Sequence, residues 1–312
     1  LTALLDIFLH NLLPVFLCAG AGFALGRVLA IDLRSVTRLS FYIFSPCLVF
    51  ASLTTIGVPA IEFSQIGLFV LAFIGLMVVS AGLTGLALRL DRRTLITLVI
   101  ASAFVNSGNY GLAATQFAFG DEALARGVVF YVISTLSVYT VGIFVASLGT
   151  RSIFIALKEI LRVPAFYALV LAGIARLLNW SIPVYMARAA ELLGHAAIPV
   201  MLVLLGLQMA QPQAPSTTPH PRPRRWALMA GVALQLLVAP LAALVLAQWL
   251  GLNGVTWQAV VLEASMPAAV ITTVLAIQYD LDADLTAQTV ILSTLLSPLT
   301  LTPLIYYLQH AG

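Results

Sequence analysis

The chain has 312 residues, 61% of them hydrophobic and only 9% charged, with a mean hydropathy of +1.06 and a formal net charge of +3. No water-soluble domain carries that balance, so the sequence reads as an all-α polytopic membrane protein, long enough for about ten spans with short loops. The same figures exclude a soluble domain of any size, and no basic patch offers a surface to nucleic acid.

The first apolar stretch, about Ala3 to Val28, holds His10, Asn11 and Pro14 and predicts a kinked span. The chain begins at Leu1 without a Met, and this stretch is too long and too weakly basic for a cleaved signal peptide. Arg27, Arg34 and Arg38 follow, then span two (about Leu39 to Leu53, with Pro46) and span three (about Ile66 to Leu88), closed by Arg89, Arg92 and Arg93. Span four covers about Thr94 to Phe119, and Gly120-Asp121-Glu122 turns into span five, about Ala123 to Leu148. Arg151, Lys158 and Arg162 lead to span six (about Pro164 to Leu178), an interfacial turn at Asn179–Pro183 and span seven (about Ala187 to Met209). Residues 211–225 hold five prolines and form a loop that cannot be helical. Span eight runs from Trp226 to Leu250 and span nine from about Val255 to Tyr279. The turn with Asp280, Asp282 and Asp284 precedes span ten, about Leu285 to Leu308, with Pro298 and Pro303.

Ten spans place twelve basic residues on one side and only Arg126, Arg176 and Arg188 on the other. The positive-inside rule then puts both termini outside the cytoplasm. Cys18 and Cys47 both lie in apolar spans and read as small core residues. No Cys/His metal spacing occurs, so neither metal nor cofactor is expected.

Span four carries an interruption, Asn106-Ser107-Gly108-Asn109-Tyr110-Gly111, about twelve residues in. At about 1.5 Å per residue that is about 18 Å deep, near a bilayer's middle. Unpaired Asn amides are costly there and Gly weakens a helix, so the pattern predicts a broken helix lining a polar site. Shifting the chain by 159 residues lays span four over span nine, so that Asn106 meets Ser265, Gly108 meets Pro267 and Asp121 meets Asp280. Ser134-Thr135-Leu136 then meets Ser293-Thr294-Leu295. Five spans per half, with breaks at matching places, predict two inverted repeats. Residues 1–150 form the first; 151–210 and 226–312 hold spans six and seven and spans eight to ten of the second.

Two half-helix starts facing each other near the midplane make a place suited to an anion. Asn109 is expected to cap the second half of span four and Ser265 that of span nine, with Pro267 in its first turn. Asn106, Ser107, Gly108, Asn109, Gly111, Ser265, Met266 and Pro267 are therefore the candidate binding residues. Packing and bundle-bridging roles compete for the glycines and asparagines. Glu263, about nine residues into span nine, is a carboxyl deep in a span and the candidate for proton or cation coupling. It could equally stay neutral and donate a hydrogen bond, or pair with a base. His195, one turn from Glu191, reads as a local pair near the interface.

The runs Asn-Ser-Gly-Asn-Tyr-Gly and Phe-Gly-Asp-Glu-Ala, then Glu-Ala-Ser-Met-Pro-Ala-Ala-Val and Gln-Tyr-Asp-Leu-Asp, resemble the auxin efflux carrier family in its bacterial branch of short permeases. So does Leu-Ser-Thr-Leu-Leu-Ser-Pro-Leu-Thr-Leu in span ten. The resemblance implies a fold akin to sodium/bile-acid symporters and sodium/proton antiporters. It implies a scaffold of spans one, two, six and seven and a mobile unit of spans three to five and eight to ten, crossing at spans four and nine. It further implies carboxylate substrates: auxin in plants, dicarboxylates such as malate or malonate in bacterial relatives. Two departures stand out: no Pro follows Gly111, and the short Pro-rich loop replaces a long one.

The expected function is a secondary carrier of a small organic anion in the bacterial cytoplasmic membrane, with the lipid bilayer as its medium. Related folds also form homodimers. A sodium-coupled symporter is the near alternative and a channel or sensor the distant one. Nucleotide, GxSG and HExxH motifs are absent, and no two Asp residues lie deep in spans, so an enzyme is not expected.

Overall fold

The computed structural model describes residues 2–147, 160–211 and 222–311. Arg151, Lys158 and most of the Pro-rich loop lie outside the described residues. The described residues are almost wholly helical. Long helices are Thr2–Val28 (α1), Leu33–Thr55 (α2), Ala60–Ala87 (α3), Ser107–Ala146 (α5), Val184–Ala210 (α7) and Arg224–Trp249 (α8). Arg92–Ala103 (α4) precedes α5, and Pro164–Leu177 (α6) is a shorter apolar helix. Gly254–Ala264 (α9) and Ile271–Gln278 (α10) are short, and Ala283–Leu296 (α11) meets Pro298–Ala311 (α12) at a bend of 52°. Six helices are long and apolar enough to cross a membrane, or seven if the bent pair is one span, so the protein is an integral membrane protein.

Local sequence explains most helix starts and distortions. Asp32, Asp91 and Asp282 cap α2, α4 and α11, each accepting from a backbone N–H in the first turn. Pro14, Pro46 and Pro240 are each preceded by a widened π turn, at Phe8–Leu12, Ser40–Phe44 and Leu234–Val238. In each case the residue four before the proline sits in the middle of that turn. Its carbonyl is the one the ring would strike and the one left without an N–H, and the wider turn absorbs both faults. The kink expected at Pro14 thus takes the form of a π turn. Gly120 breaks α5 with φ +79°, a left-handed value, so what is nominally one helix is two, joined at a kink there.

The two termini share one end of the bundle, where Thr2–Ile7 touches α12. α1 and α7 pack so closely that a Cβ at Gly22 would strike the Val203 carbonyl, and one at Gly206 the Ala19 carbonyl.

Two ion-pair clusters close opposite ends. At the terminal end Arg126 Nε donates to Glu62 Oε2 (2.7 Å) and approaches Thr256 Oγ1 (2.9 Å), while the Thr256 hydroxyl donates to the same carboxylate (2.6 Å). At the other end Arg224 grips Asp282 through Nε (2.7 Å) and Nη2 (3.0 Å), and reaches Asp284 (2.6 Å). The Asp282 N–H donates to Thr97 Oγ1 (3.2 Å), and Arg93 pairs with Asp280 (2.9 Å). Burial alone would raise the Asp282 carboxyl; the Arg224 guanidinium and the Leu285 N–H hold it below its ordinary value.

Candidate functional site

α4 stops at Ala103 because the chain turns extended at Phe104 (φ −119°, ψ 122°), and α9 stops at Ala264 before Ser265. The two interruptions meet as an antiparallel bridge between Val105 and Ala268. Asn106 N–H donates to the Pro267 carbonyl (2.7 Å), and Ala269 N–H donates to the Phe104 carbonyl (2.9 Å). Non-helical backbone inside a bundle needs partners, and each break supplies them to the other. Proline fits here because its carbonyl is used and its missing N–H is not needed. Side chains satisfy further backbone groups. Ser293 Oγ accepts from Ala268 N–H (3.2 Å), and the Gln235 amide donates to the carbonyl of Ala101 (3.0 Å) and approaches that of Phe104 (3.4 Å).

Helix resumes at Ser107 and at Ile271, which corrects the expected caps. Asn106, not Asn109, holds the cap position, and its side chain makes no capping bond; Asn109 lies inside the first turn. The Ser265 hydroxyl turns back to the Val261 carbonyl (2.6 Å) rather than capping α10. Pro267 belongs to the extended stretch, four residues before that helix starts. Of the residues that local reading assigned to these helix starts, Pro267 enters the backbone bridge through its carbonyl, whereas Asn109 and Ser265 do not.

Glu263 is fully buried against this crossing. Its Oε2 accepts from the Ser107 hydroxyl (2.5 Å) and its Oε1 from the Thr115 hydroxyl (3.0 Å). Room for the carboxyl comes from two glycines: a Cβ at Gly111 would strike Oε2, and one at Gly127 would lie 2.9 Å from Oε1. Among the described residues no basic side chain forms an ion pair with Glu263. Thr115 and Gly127 were not singled out in the sequence, since a Thr and a Gly in apolar helices carry no signal by themselves.

A cavity of about 150 Å³ opens beside the bridge. Asn106, Ser107, Gly108 and Asn109 line it, joined by Tyr131, Ser134 and Thr135 from the second part of α5 and Phe41 from α2. Glu263, Gly111, Ser265, Met266 and Pro267 do not line it; they stand behind the wall. Tyr131, Ser134 and Thr135 are the functional candidates that local reading missed, although Ser134-Thr135 stood out in the repeat alignment. Tyr131 is held by a hydrogen bond to Ser45 of α2 (2.9 Å).

Two of the larger cavities involve opposite ends of the bundle. One of about 460 Å³, with Gln208, Gln211 and Asp284, shares Val270 with the crossing cavity. The other, about 880 Å³ at the terminal end, is lined by Gln116, Asp121, Glu122, Glu191 and His195 among others and shares no residue with it. The expected Glu191–His195 pair does not form; Glu191 instead accepts a long bond from Thr55 Oγ1 (3.4 Å), which reaches across from α2. No group of three or more His, Cys, Asp or Glu residues that could hold a metal occurs among the described residues.

The profile of the family described as Membrane transport protein matches residues 7–306. A protein of Methanothermobacter thermautotrophicus described as an uncharacterized transporter is 32% identical over 212 residues. One from Methanocaldococcus jannaschii, also described as an uncharacterized transporter, is 25% identical over 209 residues. Each match covers 65% of this chain and 65% of the relative, just under two thirds of its length. With nearly all of its length matched by the family profile, the chain belongs to the membrane transport protein family, that of the auxin efflux carriers.

Proposed function

We propose that the protein is a secondary transporter of a small organic anion, working by alternating access with its site at the helix crossing. The observation that carries this reading is the antiparallel backbone bridge, flanked by a cavity lined with neutral hydrogen-bond donors. A passive span has no reason to break its helix and spend polar groups on repairing the break.

The ten-span reading makes α4 with the first part of α5 span four, and α9 with α10 span nine. The ion-pair clusters support two inverted halves. Thr97 and Thr256 are 159 residues apart, the same offset that aligns the two breaks. Each of these threonines begins a crossing span, and each is held by an ion pair belonging to the other half. The charges are exchanged: Glu62 opens span three and Arg126 span five, whereas Arg224 opens span eight and Asp282 span ten. Spans three to five and eight to ten would then move as one unit against a scaffold of spans one, two, six and seven. The excess of arginine at the end away from the termini supports a cytoplasmic placement of that end. The cavity that shares Val270 with the crossing lies on the same side, which supports an inward-facing reading of this arrangement.

Glu263 is the candidate coupling group, and its hydroxyl partners allow either protonation state without a counter-charge. The test is uptake of labelled small carboxylates into proteoliposomes, with and without an imposed proton gradient. Saturable uptake that is lost in Asn109→Ala is the expected result; uptake indifferent to that change removes the crossing as the site. A gradient response that disappears in Glu263→Gln assigns the coupling, whereas a response that persists leaves Glu263 a purely positioning residue.

A further inference from the structure

At the terminal end of the bundle a groove lies between α2, α3 and α6 and shares no residue with the crossing cavity. We propose that it is a phospholipid site, with the lipid phosphate on Arg176 and an acyl chain along the groove. The site stands whatever substrate is carried at the crossing.

The groove exists because its walls pack elsewhere. α2 and α6 pack on each other, whereas α3 packs chiefly on α4 and α5. Leu53 of α2, Phe63 of α3, and Leu169, Ala172 and Leu177 of α6 line the gap. Its volume of about 410 Å³ has room for several waters at roughly 30 Å³ each. A buried water needs roughly two to four polar partners, and Arg176 is the only polar side chain in the described lining. Hydrocarbon suits such walls better than water does. The bilayer supplies it: Leu177 is 84% exposed at the rim, and Leu171 and Ile174 of the same helix are exposed too.

Arg176 is placed to hold the head. It sits in the last turn of α6, just before the turn that carries the exposed Trp180, a residue type favoured at the membrane–water boundary. Its Nη1 donates to the Val58 carbonyl, in the turn between α2 and α3 (3.1 Å). Gly57 in that turn has φ +70°, and a Cβ there would strike the guanidinium, so glycine lets the arginine lie against the backbone. Only one of its N–H donors meets an acceptor among the described residues. Nor does Arg176 form an ion pair among them, and Glu62, in the first turn of α3, is taken by Arg126. A cation in the last turn suits the negative end of its helix, but that role needs neither the Val58 carbonyl nor a glycine beside it. A phosphodiester at headgroup level offers a pair of oxygens that the free side of the guanidinium can take together.

Head and chain sites are continuous. Leu169, Ala172, Gly173, Arg176 and Leu177 fall at helical spacing, so one face of α6 leads from the guanidinium about 10 Å into the membrane. Gly173 keeps that face open: a Cβ there would meet nothing within 4 Å.

The test is native mass spectrometry of the full, delipidated chain in detergent. The probes are dioleoyl phosphatidylglycerol, dioleoylglycerol, which lacks the phosphate, and glycerophosphate, which lacks the chains. The expected result is a phosphatidylglycerol retained by the chain, with the other two probes bound at least tenfold more weakly. Arg176→Gln should weaken the lipid at least fivefold. Gly173→Leu fills the groove and leaves the charge in place; it should weaken the lipid as much, and it carries the test should Arg176→Gln fold poorly. Arg188→Gln, at an exposed arginine of the same end outside the groove, should leave binding unchanged. An unchanged melting temperature checks folding in each variant. Glycerophosphate bound as tightly as the lipid overturns the lipid as occupant, and dioleoylglycerol bound as tightly overturns Arg176 as its anchor. A loss in Arg188→Gln equal to that in Arg176→Gln reduces the effect to surface charge and overturns the site. Lipid binding untouched by Gly173→Leu overturns the groove, and no lipid retained by the wild-type chain overturns the whole inference.

Discussion

Ser107 and Glu263 are 156 residues apart in sequence, yet the Ser107 hydroxyl donates to the Glu263 carboxylate at 2.5 Å, tying the restart of one broken helix to the end of the other. The bond joins the two interruptions just behind the cavity wall, so the geometry of the Asn106–Asn109 turn depends on a side chain from the opposite half. Thr115 completes the pair, and Gly111 and Gly127 make the room.

That arrangement separates the consequences of shape from those of charge. Glu263→Gln keeps the shape and can still meet two hydroxyls, so its melting temperature should stay near wild type. Glu263→Ala leaves a cavity and two hydroxyls without partners, and should cost about 2–4 kcal/mol. Gly127→Ala should cost about 1–3 kcal/mol by overpacking the carboxyl. Denaturation of the three variants in one detergent checks the order. A Gln variant as unstable as the Ala variant would mean that the carboxylate itself, rather than the filled space, holds the crossing.

The mirrored ion pairs make a second prediction. Arg126 and Glu62 are mostly buried, with side-chain exposures of 12% and 23%. Removing one partner leaves the other charge unpaired, at a cost of about 2–4 kcal/mol, somewhat less than for a fully buried pair because of that residual exposure. Glu62→Gln and Arg126→Gln should therefore each lower the melting temperature by several degrees. The exchanged pair, Glu62→Arg with Arg126→Glu, should recover part of the loss, because the other end of the molecule already works with the opposite polarity at Arg224 and Asp282. A double variant no better than the worse single one would mean that Thr256 and the surrounding packing fix the polarity.

How far these features could be read from sequence depends on how local their causes are. The apolar runs were legible because a bilayer demands them residue by residue. The breaks at Asn106–Gly111 and Ser265–Pro267 were legible because amides, glycine and proline contradict an apolar helix. The helix restarts at Ser107 and Ile271 were not. Where each helix resumes is decided by the bridge of Val105 to Ala268, a pairing between halves that no local window contains. Tyr131, Ser134 and Thr135 escaped for the same reason, since they are ordinary helix residues until the fold lays them beside Asn106. Glu263 was legible as unusual, but its place behind the wall rather than in the cavity was not.

Acid should weaken the end away from the termini. Asp282 is held below its ordinary value in the folded protein, against the effect of its burial, by Arg224 and the Leu285 N–H. Asp91 is held low by the Thr94 hydroxyl and backbone N–H groups. A depressed folded value means stabilisation that is complete above the unfolded value and disappears as pH falls through the folded one. Both contributions should therefore be constant from neutrality down to about pH 4 and be lost below that. Melting temperature against pH checks this, and Asp282→Asn should flatten the acid limb while lowering stability at pH 7.

The last prediction concerns two tyrosine–serine hydrogen bonds of nearly equal length. Tyr110 meets Ser297 at 3.0 Å, and both residues belong to the proposed mobile unit. Tyr131 meets Ser45 at 2.9 Å, and this bond runs from that unit to α2 of the proposed scaffold. If the unit moves, the first bond travels with it, whereas the second exists in one arrangement and breaks in the other. Ser45 does not line the cavity, so Ser45→Ala removes the second bond without touching the substrate wall. A bond worth about 1 kcal/mol shifts the balance between two arrangements about fivefold. Ser45→Ala should thus change the maximal transport rate several-fold with little loss of thermal stability. Ser297→Ala strands the fully buried Tyr110 hydroxyl and should do the reverse, costing about 1–3 kcal/mol while leaving the rate per folded molecule near wild type. The comparison needs only transport rates and melting temperatures of the two variants side by side. If both lose stability alike and neither changes the rate, the Ser45–Tyr131 bond is not at a moving boundary, and the division into scaffold and mobile unit fails at α2.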